Sequence, residues 1–291
     1  MNRQIVIVSL ACWLVMSGTS PAASLPQSEP NAAPAASTTG TGAALPSGEQ
    51  VFQRVLDRFA SNAAVTNVPV WACDKLEVSE ELDTDAKVKE RTEKLYRTEI
   101  VQGMPVSRLV KMNGRNLTEA EIKKEEKREA ELQKQFGGHD SKKGGNEHDP
   151  FNPKEVVEHF ECNALRREAV QGRQTVVVSF QPKPSKDSGS IGERLLSRLA
   201  GMLWVDEATG DLARLEVHLT KELSMGVFGV LGSVKDCRID LASTPMTDGS
   251  WQPEKTTFSV SARMFLSSVR FQMEQTSSNY TLEPAPKLSQ H

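Results

Sequence analysis

Arg214-Leu215-Glu216-Val217-His218-Leu219-Thr220 alternates polar and apolar side chains without a break. A period of two puts Leu215, Val217 and Leu219 on one face of an extended strand and the charged residues on the other. The same pattern returns twice. Phe258, Val260 and Ala262 alternate with Ser259, Ser261 and Arg263, and Val269, Phe271 and Met273 alternate with Arg270, Gln272 and Glu274. Strand after strand with one dry face and one wet face, joined by short turns, predicts an antiparallel meander. His218 falls on the polar face, as an ordinary surface histidine does.

Working outward, Leu203 and Val205 lead into a turn at Glu207 to Gly210, and Cys237, Ile239 and Leu241 form another alternating set. Upstream, strands are expected at Phe160 to Val170 and Gln174 to Pro182 about a Gln171-Gly172 turn. Val68, Val70 and Ala72 alternate before Cys73. A ribbon from Lys87 to Val101 turns at Gln102-Gly103 and returns as Val106 to Met112, where Asn113-Gly114 is a strong turn signal.

Helices are few. Ser47 and Gln50 form a capping box, and Phe52, Val55, Leu56 and Phe59 then recur at i, i+3, i+4 and i+7. Asn152 and Pro153 suit a second helix start. Ser190 and Glu193 cap a short third helix carrying Ile191, Leu195, Leu196 and Leu199, with Gly201 as its C-terminal stop. Thr118 and Glu121 open a charged helix to about Phe136, with six Glu, four Lys and one Arg between Glu119 and Lys134. That composition reads as a solvated surface helix laced with ion pairs. The fold class is therefore α+β, mainly antiparallel β. It is a curved meander sheet or incomplete barrel with short covering helices and one inserted charged helix.

The N-terminus addresses the chain. Arg3 precedes an apolar run from Ile5 to Met16, and Gly18 to Ala23 supplies small residues for cleavage. The run is too short to span a bilayer, which takes about 20 apolar residues. Residues 1–23 are expected to be a signal peptide and 24–47 a disordered Ala/Pro/Ser/Thr linker. Residues 48–282 form a single domain, and 283–291 a flexible tail. The chain should be exported, to the periplasm, with no transmembrane segment. A lipid anchor at Cys12 is the alternative, but Ser9-Leu10-Ala11 places the leucine one position late and the apolar run continues past the cysteine.

The 291 residues carry a formal charge of −3 with no basic block outside the mixed-charge helix, which argues against nucleic acid as a partner. There is no C-x-x-C, G-x-S-x-G, S-x-x-K, H-E-x-x-H, Walker A loop or Rossmann G-x-G-x-x-G. No catalytic residue, metal ligand or cofactor is therefore assigned, and a binding protein is favoured over an enzyme. His139-Asp140 and His148-Asp149 sit on a Gly/Lys loop without fixed ligand spacing. Of the cysteines beyond Cys12, Cys237 belongs to an apolar set, which leaves Cys73 and Cys162 as a possible disulfide; three free thiols is the equal alternative. Ser224 to Val234 is Gly-rich and apolar, with Met225, Val227, Phe228, Val230 and Leu231. It either plugs a barrel end or forms the rim of a greasy cavity.

Several stretches carry a resemblance. They are Tyr96 through Gly103-Met104-Pro105, Asn113-Gly114-Arg115-Asn116-Leu117-Thr118, Gly201-Met202-Leu203-Trp204-Val205-Asp206, Asp248-Gly249-Ser250-Trp251-Gln252-Pro253, and Arg263 to Tyr280. Together they resemble a group of exported bacterial proteins similar to the periplasmic outer-membrane lipoprotein carrier LolA. The resemblance implies an incomplete antiparallel barrel wrapping an apolar cavity under short helices. It also implies a carrier of an apolar ligand, lipid or lipoprotein acyl chains. Residues 118–150 look like an insertion relative to the carrier, and the resemblance places its functional arginine on no particular position of this sequence. The alternative is a regulatory interaction protein of the envelope resembling RseB, which shares the architecture; an exported hydrolase ranks third.

Overall fold

A computed structural model describes residues 44–64, 70–101, 104–137, 157–184, 191–225, 232–264 and 267–283. The expected signal peptide, most of the expected linker and Cys12 lie outside these residues, as do the His139-Asp140 and His148-Asp149 pairs, the expected Asn152-Pro153 helix start and the expected tail.

Among the described residues twelve strands make one antiparallel sheet. They are β1 (Val70–Leu82), β2 (Val88–Val101), β3 (Met104–Met112), β4 (Arg115–Asn116), β5 (Phe160–Val170), β6 (Arg173–Pro182), β7 (Leu199–Asp206), β8 (Leu212–Leu219), β9 (Leu223–Met225), β10 (Gly232–Pro245), β11 (Trp251–Met264) and β12 (Ser267–Glu283). The strand order is β4-β3-β2-β1-β12-β11-β10-β8-β7-β6-β5, with β9 beside β10. Two meanders thus meet along one seam, β1 against β12, which runs from Val70↔Glu283 to Leu82↔Arg270. The expected hairpin turns are present. Asn113-Gly114 and Gln171-Gly172 all hold positive φ (50°, 74°, 47° and 80°), the type I′ geometry that suits the twist of paired strands. β5 and the β3/β4 end pair on one side only, so the sheet curves without closing into a barrel.

The alternation sorts the core. On the inner face a contiguous cluster runs from Phe160, Val178 and Phe180 through Leu203, Val217 and Ile239 to Phe258, Val260 and Met273. A smaller outer cluster joins Val177, Trp204, Ala213 and Trp251. Helix α1 (Gly48–Ala64) starts where expected, with the Val51 N–H donating to the Ser47 carbonyl at 3.1 Å. It buries Val51, Phe52 and Val55 against β5 and β6, Phe52 lying 5.9 Å from the Phe160 ring and 5.7 Å from Phe180. The side chain of Phe59 lies outside the described residues. Gly48 touches the backbone of edge strand β5, for a Cβ there would stand 2.4 Å from the Cys162 carbonyl oxygen.

Helix α2 (Glu119–Gly137) follows the charged segment, and α3 (Ile191–Leu196) is one turn shorter than expected. Leu199 and Gly201 do not belong to α3; both are in β7. The reason is cross-strand crowding. A Cβ at Gly201 would lie 1.9 Å from the Glu216 carbonyl oxygen and 2.9 Å from the Phe180 ring. The glycine lets β7 run beneath Phe180; it does not stop a helix.

Candidate functional site

The register makes the inner face a set of rows running across the strands. One row reads Val178, Leu203, Leu215, Leu241, Thr256, Gln275, Glu77, Lys94, Met112, from β6 to β3. The next reads Cys162, Phe180, Gly201, Val217, Ile239, Phe258, Met273, Ser79, Thr92. A third reads Cys237, Val260, Phe271, Glu81, Glu90. In the second and third rows the face is apolar through β12 and turns polar at β1; in the first the change begins two strands earlier, at Thr256. Glu77 and Lys94 are ion-paired at 3.1 Å with side chains 16% and 30% exposed, so the polar end is itself half-buried.

The helices cover this face unevenly. α1 packs on β5 and β6, α3 on β9 and α2 on β3. None has its main packing on β10, β11 or β12. There the apolar residues include the buried Ile239, Phe258, Val260 and Met273 and the partly buried Val234, Cys237, Leu241 and Phe271.

α2 guards an edge. Its inward stripe is charged, with Glu125 and Glu129 buried, while Ile122 is 43% exposed. Glu125 Oε1 accepts the free edge N–H of Leu109 at 3.1 Å, and Arg128 donates to the Ser107 carbonyl at 2.8 Å. Arg108 grips both oxygens of Glu129 at 3.0 and 3.2 Å. These side chains satisfy the edge groups of β3 that a further strand would otherwise bond. Burial pushes the Glu125 carboxyl up, but Arg128 and the Leu109 N–H outweigh it and hold the group below its ordinary range. At the helix start the capping box forms as expected. Glu121 accepts from the Thr118 N–H at 2.8 Å and from Arg115 at 2.8 Å, which draws its carboxyl down to about 2.

A second polar cluster clamps the outer face. Asp206, 1% exposed, accepts the Ala208 and Thr209 N–H groups at 2.9 Å and the Trp251 indole at 3.0 Å, and pairs with Arg173 at 2.7 Å. Burial works against its charge; the Thr209 N–H, Trp251 and Arg173 outweigh it, so its carboxyl sits below the ordinary range. Asp211, 3% exposed, pairs with Arg58 of α1 at 2.8 Å. Both carboxylates face partners within the fold, which makes them structural ties between the β7–β8 turn and its surroundings. Among the described residues no group of three or more His, Cys, Asp or Glu stands close enough to hold a metal ion.

Of the residues expected at a cavity rim, Met225 ends β9, its side chain outside the described residues, and Val227, Phe228, Val230 and Leu231 lie outside them entirely. Cys73, Cys162 and Cys237 are free thiols. Cys73 stands on β1 and Cys162 on β5, with β12, β11, β10, β8, β7 and β6 between them in the sheet. Burial pushes the Cys162 and Cys237 thiols up to about 11. His218 is exposed, as its face predicts. The transverse rows were missed in the sequence, because they depend on which strand pairs with which; the alternation within each strand was the available signal.

No family model matches the chain, and no curated protein matches it. Solved structures do show likeness. An outer membrane lipoprotein-sorting protein domain from Vibrio parahaemolyticus is 12% identical, with 84% of this chain and 94% of that one covered and a TM-score of 0.32. A LolA superfamily protein from Nitrosomonas europaea is 9% identical, covering 83% and 96%, with a TM-score of 0.29. The complex of Pseudomonas aeruginosa MucA and MucB gives 10% identity, 82% and 99% coverage and a TM-score of 0.25. At these scores the likeness carries no functional inference. No helix of the described residues is long and apolar enough to cross a membrane.

Proposed function

We propose that this chain is an exported envelope protein that binds an apolar ligand, lipid or lipoprotein acyl chains, on the inner face of its curved sheet. The carrying observation is the continuity of that face. Val217, Ile239, Phe258 and Met273 form an apolar row across four strands, on none of which a described helix has its main packing. A buried apolar face of a curved sheet on which no described helix has its main packing is where this reading places a small-molecule site. The apolar segment between β9 and β10 is assigned the rim in this reading, with Met225, Val227, Phe228, Val230 and Leu231. Export rests on the Arg3 to Ala23 pattern, and the N-terminus of the secreted protein should fall near Ala22 to Leu25.

Titration of the purified protein with the uncharged fluorophore N-phenyl-1-naphthylamine tests the reading. Saturable uptake is expected, weakened by Phe271→Glu on the inner face and by Phe228→Asp or Leu231→Asp at the rim, with the circular dichroism spectrum retained. Absence of saturable uptake, or equal uptake in all three variants, overturns the reading and favours the regulatory role.

A further inference from the structure

The rows of the inner face end in the same way, and that ending has a chemical meaning. In the second row Met273 is followed by Ser79 and Thr92, and in the third Phe271 is followed by Glu81 and Glu90. In the first row, Leu241 is followed by Thr256, Gln275, Glu77 and Lys94. The polar groups therefore collect on β1 and β2, beside the α2 edge, opposite the apolar region under α1. The change of polarity falls at the seam between the two meanders.

A second observation marks the boundary. Thr256 is 1% exposed, and its Oγ1 has no hydrogen-bond partner. A buried hydroxyl left unpaired is costly and rare, so each instance asks for an explanation. Here the hydroxyl sits on the inner face, between Leu241 and Gln275, where apolar surface gives way to polar. A ligand's polar atom at that point would complete it.

We propose that the ligand is a single-chain amphiphile lying across the strands. Its hydrocarbon tail covers Val217, Ile239, Phe258 and Met273, and its headgroup rests on Thr256, Gln275, Glu77 and Lys94. This deepens the binding reading above and rests on it. The span from β8 to β1 is four strand spacings, about 19 Å, ample for an extended acyl chain. The headgroup should be uncharged or zwitterionic and rich in hydroxyls. Glu77 and Lys94 neutralise each other at 3.1 Å, so together they offer an acceptor and a donor without a net charge. An anionic headgroup would meet Glu77, and a cationic one Lys94, each at the expense of that pair.

Competition against N-phenyl-1-naphthylamine decides it, with three probes of equal chain length: 1-monolauroylglycerol, laurate and dodecylammonium, each below its micelle concentration. The glycerol ester should displace the fluorophore at the lowest concentration. In Thr256→Val its affinity should fall several-fold relative to that of the fluorophore. In the double variant Glu77→Gln/Lys94→Met the ratio should fall about tenfold, the effect of losing one hydrogen bond to a charged group. Equal displacement by all three probes, or an unchanged ratio in both variants, overturns the headgroup assignment while the binding reading stands. Failure of the wild-type protein to take up the fluorophore removes the binding reading, and this inference with it.

Discussion

Replacing Glu125 by alanine should unlatch α2 from the sheet edge. The carboxylate holds two partners at once, the Leu109 N–H at 3.1 Å and the Arg128 guanidinium at 2.8 Å. Losing it leaves the edge N–H without an acceptor and an arginine, 34% exposed, with the Ser107 carbonyl as its remaining acceptor. A hydrogen bond to a charged group contributes about 1.5–3 kcal/mol, and the exposure of Arg128 argues for the lower half of that range, about 2 kcal/mol. Since α2 packs on β3 and little else, the loss is local. At about 1.4 kcal/mol per factor of ten, the Leu109 amide should exchange with deuterium about thirtyfold faster. Glu125→Gln keeps an acceptor for the N–H but loses the charge facing Arg128, so its effect should be smaller. The acid dependence follows in sign: a carboxyl held below its ordinary 4.5 stabilises the latch above that pH and loses the contribution as pH falls further. Leu109 exchange unchanged in Glu125→Ala, with the helical signal intact, would refute the edge-cover account.

Asp206→Asn should cost about 3–5 kcal/mol in urea unfolding, because Arg173 is left facing an uncharged group at a nearly sealed site. Its carboxyl is also held low, so the wild-type advantage over the variant should be full above pH 4 and shrink as pH drops through the lowered value. Gly201→Ala should destabilise by about 1–3 kcal/mol or more, since the added methyl meets the Glu216 backbone at 1.9 Å; a midpoint within experimental error of wild type would contradict that contact. Thiol counting in denaturant should find Cys73, Cys162 and Cys237 all reactive without reductant. In the folded state Cys162 and Cys237 should label slowly at pH 8, since burial keeps them protonated up to about 11.

Period-two alternation carried much of the fold into the sequence, as Leu215, Val217 and Leu219 show by lining the inner face. Turns with strong local chemistry, Asn113-Gly114 and Gln171-Gly172, were equally plain, and so was the Thr118/Glu121 cap. Gly201 misled because a glycine after a leucine-rich turn looks like a helix stop, while its true demand comes from Glu216 and Phe180 on neighbouring strands. The charged helix was legible as ion-paired. That its carboxylates turn inward to bond the Leu109 N–H was not, for no rule of amphipathicity points Glu125 and Glu129 at a sheet. The polarity step on the inner face was hidden for the same reason. Ser79 and Met273 are cross-strand neighbours only because the first and last long strands pair.

That pairing also sets a timetable. Among the described residues β1 is the first strand and β12 the last, yet each is the other's hydrogen-bond partner along its length. β1, β2 and β3 can zip into a hairpin meander soon after they emerge, but one flank of β1 stays bare until Ser267–Glu283 arrives. Contacts so distant in sequence form slowly, and a bare flank invites strangers in the interval. Delivery of the last strand closes that window, and loss of the C-terminal 25 residues would leave it open.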